Sequence, residues 1–390
     1  MTAERIAIDG AGVITPIGQD LDVFWSALVT GASGISTIDR FPVADLRVGR
    51  GGEIKKVPRV RKGRSSGCRA TALLVSAAED LRARSSLDAL DPARVAIVLG
   101  TAIGAVEEGE RALAGDAPGR RLGAALYDAP AHALARWLSC RGAVITVSTA
   151  CASGATALAV GADLLRSGEA DAVVAGGYDI LCRFVMRGFN ALRALTCDEI
   201  RPFDRRRSGL LLGEAAALVL LRRSSEVSRP RLGMLLGYGS ASDAFHISAP
   251  DPQGRGVERA SRAALAQAGL QADEIDFVSA HGTATPLNDR VETAALKRVL
   301  GARAQAIPVN SIKASLGHTM GAAAVLEAIM CLLAGRHGLI PPTLNLEDPD
   351  PECDLDYVRG SARAARSRRS LSTSLGFGGC NAALVLEAAA

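Results

Sequence analysis

Short hydrophobic runs alternate with helix-like stretches along most of the chain. The first strand-like run lies in RIAIDGAGVITPIG and ends in a Gly-rich turn, and helical spacing follows in LDVFWSALVTGASGI. Further buried strands are predicted in RVAIVLGTAIG and ADAVVAGGYD, with a helix of small residues in RATALLVSAAEDLRA. Strands that alternate with helices predict an α/β fold, with parallel sheets covered by helices.

A similar pattern begins again after the connection SSEVSRPRL. A strand followed by a Gly turn recurs in RLGMLLGYGSASD, and IDFVSAHGT predicts a strand that enters a loop. An apolar helix is predicted in MGAAAVLEAIMCLLAG, and a final strand follows the Gly turn of STSLGFGGCNAALVLEA. The two similar openings hint at a duplicated unit, although no fixed period of 20–50 residues appears. A division at the connection would give one half at residues 1–228 and a second at 229–390.

Composition and charge exclude several classes of protein. The 390 residues are 48% hydrophobic with a net charge of +4, and the arginines are spread along the chain, unlike the basic stripe of a nucleic-acid-binding protein. No apolar run approaches the roughly 20 residues of a membrane helix, and the N-terminus predicts a strand rather than a secretion signal. The eight cysteines form no CxxC pair, so we expect reduced thiols in the cytoplasm.

A candidate nucleophile lies in TACASGA, where Cys151 stands between a β run and a helix of small residues. Unpaired N–H groups and the positive end of a helix dipole favour the thiolate, so we expect the thiol pKa to fall below its usual value of about 8.5. The small neighbours leave space for a substrate, as at the nucleophile turns of other α/β enzymes. A buried structural cysteine is the alternative.

Two histidines lie in loops that follow predicted strands. His281 occurs in SAHGTATPLND and His318 in NSIKASLGHTMGAA, positions at which α/β folds gather their sites. Each imidazole could donate to a carbonyl oxygen or move a proton near neutral pH. Zinc binding by the two histidines and Cys151 is disfavoured, because ligand pairs at short spacing are absent and we expect no metal.

Five motifs in order along almost the whole chain resemble those of the β-ketoacyl-acyl-carrier-protein synthases, in their elongating Cys-His-His branch. They are TACASG, RPFDRRRSGLLLGE, AHGTATPLND, KASLGH and GFGGCN. The resemblance implies a thiolase-like fold, with two βαβαβαββ halves in five αβαβα layers, usually in a homodimer. It also implies decarboxylative condensation of a malonyl thioester with a Cys-bound acyl chain, giving a β-ketoacyl-acyl carrier protein without a bound cofactor.

The resemblance also implies residue roles. Cys151 would accept the acyl group from a carrier protein, and His281 and His318 would promote decarboxylation and stabilise the enolate oxygen. Lys313 would organise the site, with Glu292 as its ion-pair partner. The remaining implied roles are an oxyanion hole of the Cys151 and Phe377 N–H groups, an acyl pocket bounded by Phe189 and Phe377, and carrier contacts at Arg64 and Arg193, with Arg61 and Lys62 near.

The chain departs from the family pattern in three places. The 105–143 segment is shorter than usual, which leaves the preferred acyl length and the dimer contacts open. Ser208 stands where an Asp is common, and Thr373 with Ser374 stands where relatives often have Asn-Ser. Neither of these two substitutions is expected to alter the Cys-His-His set.

Several alternatives stay open at this point. A thiolase would need a second reactive cysteine, and Cys380 lies in a synthase-type loop; initiating synthases have Asn in place of His318. A non-catalytic chain-length factor usually lacks the nucleophile, which Cys151 supplies. The chain could instead be the active half of a heterodimer with such a factor. The sequence does not separate fatty-acid synthesis from a polyketide or polyene pathway.

Overall fold

The computed structural model describes residues 4–57, 68–116, 122–228 and 231–389. The described strands are β1 (Ile6–Ile14), β2 (Ile35–Thr37), β3 (Arg50–Gly52), β4 (Val95–Gly100), β5 (Val144–Val147), β6 (Ala172–Asp179), β7 (Ala215–Arg223), β8 (Gly233–Ser242), β9 (Phe277–Ser279), β10 (Pro308–Asn310), β11 (Leu339–Ile340), β12 (Asp356–Tyr357), β13 (Arg363–Ala364), β14 (Arg369–Gly376) and β15 (Cys380–Ala388). The described α-helices are α1 (Leu21–Val29), α2 (Arg69–Arg84), α3 (Val106–Leu113), α4 (Ala129–Leu138), α5 (Ser153–Arg166), α6 (Arg183–Ala191), α7 (Arg255–Ala268), α8 (Asn288–Leu300), α9 (Lys313–Leu316) and α10 (Ala323–His337).

The order of the strands contains the same pattern twice. One 11-stranded sheet runs β12-β10-β9-β14-β15-β8-β1-β7-β6-β4-β5, and its halves meet where β1 pairs with β8. Outward from that pair, one half reads β1-β7-β6-β4-β5 and the other β8-β15-β14-β9-β10. In both halves the first two pairings are antiparallel and the next two are parallel. The duplication expected from the two similar openings is therefore confirmed.

Five layers follow from where the helices pack. Helix α5, which follows Cys151, and the apolar helix α10 pack together between the two halves of the sheet. One outer layer contains α2 and α4, and the other contains α7 and α8. The thiolase-like arrangement expected from the resemblance is confirmed. The division into residues 1–228 and 229–390 stays a prediction, since 229 and 230 lie outside the described residues.

The sheet halves are mixed rather than wholly parallel, which corrects the expectation drawn from strand–helix alternation. Parallel neighbours such as β4 and β6 need a crossover connection that returns the chain to the same end of the sheet. By contrast, the Gly-rich turn at Phe377–Gly379 joins β14 directly to β15, and so short a connection requires antiparallel strands.

The central layers approach each other closely through glycine. A side chain at Gly177 of β6 would place its Cβ 2.1 Å from the carbonyl oxygen of Gly321, which lies just before α10. A Cβ at Gly154, in the first turn of α5, would lie 2.6 Å from the same oxygen. Because such distances are far inside van der Waals contact, only glycine permits this approach of the two halves beside Cys151.

One segment among the described residues is long and apolar enough to cross a membrane. Met320–His337 has 18 residues, so the expectation that no apolar run comes near this length was wrong. The fold buries 83% of this segment between the sheet halves. Its apolar composition on all sides is therefore that of a central core helix.

Candidate active site

The nucleophile turn lies between β5 and α5. Ala150 has a positive φ of 51°, a strained conformation for a residue with a side chain. Ser153 fixes the turn, because its hydroxyl accepts the Thr149 N–H at 2.9 Å and donates to the Ala150 carbonyl at 2.6 Å. This tight turn aims Cys151 away from the strand, at the start of α5.

Burial, and not the helix terminus, dominates the acidity of the nucleophile. Cys151 is only 7% exposed, and burial raises the pKa of its thiol to about 11. The Lys313 charge and the N–H groups of Phe377 and Cys151 oppose this rise and lower the pKa less than burial raises it. The expected lowering of the thiol pKa is therefore wrong, because loss of hydration outweighs the helix dipole.

His318 is positioned by the RPFDRRRSGLLLGE motif. Its N–H donates to the Leu211 carbonyl at 2.7 Å, and its carbonyl accepts the Gly213 N–H at 2.9 Å. Gly317, at a φ of 75°, turns the chain into this bridge after α9. The ring then places Nε2 2.9 Å from Cys151 Sγ, so that the thiol can donate its proton to the imidazole.

His281 follows β9 and is held through its backbone by Glu292. The carboxylate accepts the His281 N–H at 2.7 Å on Oε1 and the Gly282 N–H at 2.9 Å on Oε2. Glu292 is fully buried on α8. Its hydrogen bonds are with the His281 loop, Asn288 and Thr373. No ion pair joins it to Lys313 among the described residues, so the expected role as the ion-pair partner of Lys313 is wrong.

The partner of Lys313 is Glu327 of α10. Lys313 Nζ lies 2.5 Å from Glu327 Oε1, and both side chains are buried. Burial raises the pKa of Glu327 to about 7, although Lys313 opposes that rise. Glu327 was not predicted from the sequence, in which the available signal was a single carboxylate within the otherwise apolar MGAAAVLEAIMCLLAG.

The structure brings Cys151, His281 and His318 together. One donor atom from each lies within 4.8 Å of the other two, and the imidazole planes are nearly perpendicular, with ring centroids 5.3 Å apart. Burial and then the Lys313 charge lower the pKa of both imidazoles well below 6.5. Neutral imidazoles beside a buried thiol can exchange its proton and donate hydrogen bonds to a substrate oxygen.

The same three side chains could also hold a metal ion on geometric grounds alone, since neutral imidazole and thiolate are zinc ligands. One observation disfavours metal binding. Lys313 adds a positive charge beside the cluster. Metal binding requires the thiolate and is opposed by a nearby cation.

Phe377 contributes both a backbone donor and an aromatic wall. Its N–H interacts with the Cys151 sulfur, the position that an oxyanion donor would occupy. Its ring stacks on Phe189 with centroids 5.7 Å apart. The turn carrying it relies on Gly378 and Gly379 at φ values of 81° and 77°, and Gly378 N–H donates to the Ile247 carbonyl at 2.9 Å.

A cavity of about 410 Å³ opens in front of Cys151, His281 and His318. Phe189, Phe377 and Leu210 line it, and Arg193 and Ser208 lie towards its mouth. The Ser208 hydroxyl is 2.6 Å from that of Thr196, so the position often taken by Asp carries no charge here. Arg64, Arg61 and Lys62 lie outside the described residues.

Asp179 is a second buried carboxylate that the sequence argument missed. It accepts hydrogen bonds from the Thr101 hydroxyl at 2.7 Å and from the Gly321 N–H at 2.6 Å. It thereby joins the turn after β4 to the start of the α10 segment. Burial raises its pKa to about 6. Its sequence position, at the end of a hydrophobic strand, was the available signal.

The thiol pKa predicts how Cys151 reacts with iodoacetamide. Because a pKa near 11 leaves little thiolate at pH 7, the alkylation rate should rise about tenfold per pH unit from pH 7 to pH 9. Peptide mass spectrometry would follow Cys151, with the exposed Cys197 as an accessible thiol in the same sample. A Cys151 rate that is already constant at pH 7 to 8 would contradict a raised pKa.

Models of one protein family match both halves of the chain. The model of the beta-ketoacyl synthase N-terminal domain matches residues 3–227, and that of the C-terminal domain matches 232–347. The tetracenomycin polyketide synthase ketoacyl synthase alpha subunit of Streptomyces glaucescens is 38% identical, with 98% of this chain and 97% of the relative covered. The 3-oxoacyl-[acyl-carrier-protein] synthase 2 of Synechocystis is 34% identical, with 98% of each covered.

Solved structures with a similar fold are also ketosynthases. The ishigamide ketosynthase/chain length factor has a TM-score of 0.91 at 34% identity, with 100% of both chains covered. A ketosynthase in complex with its chain length factor from Xenorhabdus doucetiae has a TM-score of 0.87 at 30% identity, with 99% of this chain and 98% of that one covered. The chain therefore belongs to the β-ketoacyl synthase family.

Proposed function

We propose that the chain condenses a malonyl thioester with an acyl group bound to Cys151, releasing carbon dioxide and forming a β-ketoacyl-acyl carrier protein. One observation carries the proposal. The Cys151 thiol, two neutral imidazoles and the Phe377 N–H converge on one point of a cavity with apolar walls. That set supplies a nucleophile, a proton acceptor and donors for a developing oxyanion.

The first step loads the acyl chain. The Cys151 sulfur attacks the carbonyl carbon of an acyl-pantetheine thioester while its proton passes to His318 Nε2, 2.9 Å away. The N–H groups of Cys151 and Phe377 hold the oxyanion of the tetrahedral intermediate. The pantetheine sulfur then leaves and takes the proton, so that one C–S bond forms and one breaks.

The second step makes the carbon–carbon bond. Neutral His281 donates to the thioester oxygen of the malonyl group. His318 donates to the same oxygen after its neutral ring has changed to the tautomer with hydrogen on Nε2, and both bonds stabilise the enolate left when carbon dioxide departs. The enolate carbon attacks the acyl carbonyl on Cys151, and the C–S bond to the enzyme breaks. The sulfur leaves as a thiolate and takes up one proton from solvent, which restores the thiol. The apolar surroundings, including the stacked Phe189 and Phe377, exclude water that would hydrolyse the acyl-enzyme.

The proposed reaction needs no resident metal or cofactor, since both substrates arrive on the pantetheine arm of a carrier protein. We place it in the cytoplasm. The eight cysteines are all free of disulfides, which suits a reducing compartment.

Acyl loading is the direct test. Incubation with a panel of acyl-carrier proteins should increase the intact mass of the enzyme by one acyl group, and Cys151→Ala should abolish the gain. His281→Ala should still load, yet form the β-ketoacyl product about 10²- to 10³-fold more slowly, because it removes an enolate donor. Mass spectrometry and product chromatography would measure the two steps.

Two controls sharpen this experiment. Loading and condensation should persist in EDTA, because the proposed steps use no metal, and a loss restored by zinc would favour the metal-site alternative. Failure of the wild-type enzyme to load from any donor would contradict the condensing function and point to a non-catalytic partner subunit.

Arg193 is the described residue best placed to contact an acidic carrier protein. It is exposed at the cavity mouth and has no ion pair among the described residues. Its φ of 53° is uncommon for a residue with a side chain, and such backbone strain is often found at functional sites. By contrast, Arg205 and Arg206 are paired with acidic neighbours. An unpaired guanidinium at the entrance would steer a negatively charged partner.

Charge reversal should separate docking from chemistry. Arg193→Glu, alone and with Arg64→Glu, should raise KM for the carrier-bound donor about tenfold and leave KM for a free pantetheine thioester unchanged. Arg336→Glu is the control, because Arg336 is exposed at the far end of α10. An equal rise for both donors, or none, would contradict a docking role for Arg193.

A second candidate is the active subunit of a heterodimer with a chain-length factor, the assembly named for two of the similar structures. Exposed apolar side chains on α3, on α6 and at Leu126 favour a partner that covers them. Leu113 of α3 is 89% exposed, Leu126 61% and Phe184 of α6 58%, and Glu110 of α3 hydrogen-bonds the Phe184 backbone. Nearby, β5 ends the sheet with half-buried Val, Ile and Thr side chains and pairs only with β4 among the described strands.

The oligomeric state discriminates between these candidates. If a heterodimer is the working form, the chain purified alone should aggregate or remain monomeric, because its apolar surface and sheet edge lack their partner. Co-expression with a chain-length factor from the same source should give a stable complex with one copy of each chain. Light scattering coupled to size exclusion would measure both, and a stable homodimer of the chain alone would contradict the heterodimer.

A further inference from the structure

Glu292 joins three separate elements beneath the catalytic side chains. Its carboxylate accepts the His281 and Gly282 N–H groups and the Thr373 hydroxyl, the last at 2.7 Å on Oε1. Asn288 Nδ2 lies 3.5 Å from Oε2. One carboxylate of α8 thus connects the loop after β9 with strand β14.

Thr373 is arranged to donate specifically to this carboxylate. It is fully buried on β14, and its backbone is held opposite Ala383 in the ladder with β15. The hydroxyl has one proton and two acceptors in range, Glu292 Oε1 at 2.7 Å and the Ser279 carbonyl at 3.5 Å. The shorter, charge-assisted contact takes the proton. The hydroxyl of Thr373 therefore reaches the His281 loop through Glu292, while its own hydrogen bonds are with Glu292 and Ser279.

The Thr373 hydroxyl affects His281 because both groups donate to the same oxygen, Glu292 Oε1. The same oxygen that receives the Thr373 proton also holds the His281 N–H at 2.7 Å. Burial raises the pKa of Glu292, and the hydrogen bonds from Gly282, Thr373 and His281 oppose that rise. Loss of the hydroxyl would favour protonation or rotation of the carboxylate and release the His281 backbone. Phe377 would stay in place, since the β14–β15 ladder holds its strand independently of this side chain.

We propose that Thr373 is a positioning residue that acts through Glu292 to hold His281 where it meets the malonyl thioester. The inference rests on the proposed function, in which His281 serves carbon–carbon bond formation, while acyl loading uses Cys151, His318 and the Phe377 N–H. Loss of the Thr373 hydroxyl should therefore slow one half-reaction and spare the other.

The test compares Thr373→Val, which keeps the side-chain shape without the hydroxyl, with Thr373→Ser, which keeps the hydroxyl. Thr293→Val is the matched control. Thr293 is equally buried, lies next to Glu292 in the sequence, and directs its hydroxyl to the Asp289 carbonyl and the Tyr357 hydroxyl. Intact mass measures the rate of Cys151 acylation. A single turnover of acylated enzyme with malonyl-carrier protein measures condensation.

Thr373→Val should condense at least about tenfold more slowly and acylate within about twofold of wild type, because a small displacement of a catalytic group costs much rate. Thr373→Ser should recover most of the condensation rate, and Thr293→Val should change neither step by more than about twofold. If the valine variant fails to fold, Thr373→Cys offers a weak donor of similar size and should condense at a reduced rate.

Three results would overturn the proposal: condensation at the wild-type rate in the valine or cysteine variant, equal slowing of both half-reactions, or equal slowing by Thr293→Val. Failure of the proposed function looks different, because the wild-type enzyme itself would then load or condense nothing.

Discussion

A buried positive charge beside Cys151 acts, together with burial, on the pKa of every side chain in the Cys-His-His set. Lys313 is 2% exposed, and an ammonium so buried needs a counter-charge, which Glu327 supplies at 2.5 Å. Its field lowers the pKa of Cys151 and of both imidazoles, so it favours neutral histidines and moderates the cost of forming a thiolate. The pKa of Glu327, about 7, indicates that its own charge is costly at that depth. Acid–base chemistry near neutral pH depends on this balance.

Duplication of the fold explains why the catalytic residues converge. Strand β5 of one half occupies the place that β10 occupies in the other, and Cys151 and His318 follow these equivalent strands. Their side chains, 167 positions apart, meet at 2.9 Å across the interface between the halves. The close approach at Gly177 and Gly321 allows that meeting, since any side chain there would force the central layers apart.

Two buried carboxylates, Asp179 and Glu292, hold the backbone of the loops around the site in place. Asp179 holds the turn after β4 to the start of the α10 segment, and Glu292 holds the His281 loop to β14. Both are completely buried and both accept main-chain N–H groups, which offsets part of the free energy lost on removing a carboxylate from water. Such hydrogen bonds fix the backbone of a loop relative to the sheet, so that side chains in the loop are held in defined positions.

The motifs alone brought out Cys151, both histidines, Lys313 and Phe377 as candidate site residues, because these residues lie in short segments whose order is specific to the family. Strand and helix periodicity likewise predicted an α/β fold with a repeated unit. Pairings between distant segments were not predictable in the same way. Lys313 pairs with Glu327 rather than Glu292, and only the packing of α10 against the active-site loops decides this. The sign of the thiol pKa shift also depended on tertiary structure, because hydration is lost only when the surrounding layers close over Cys151.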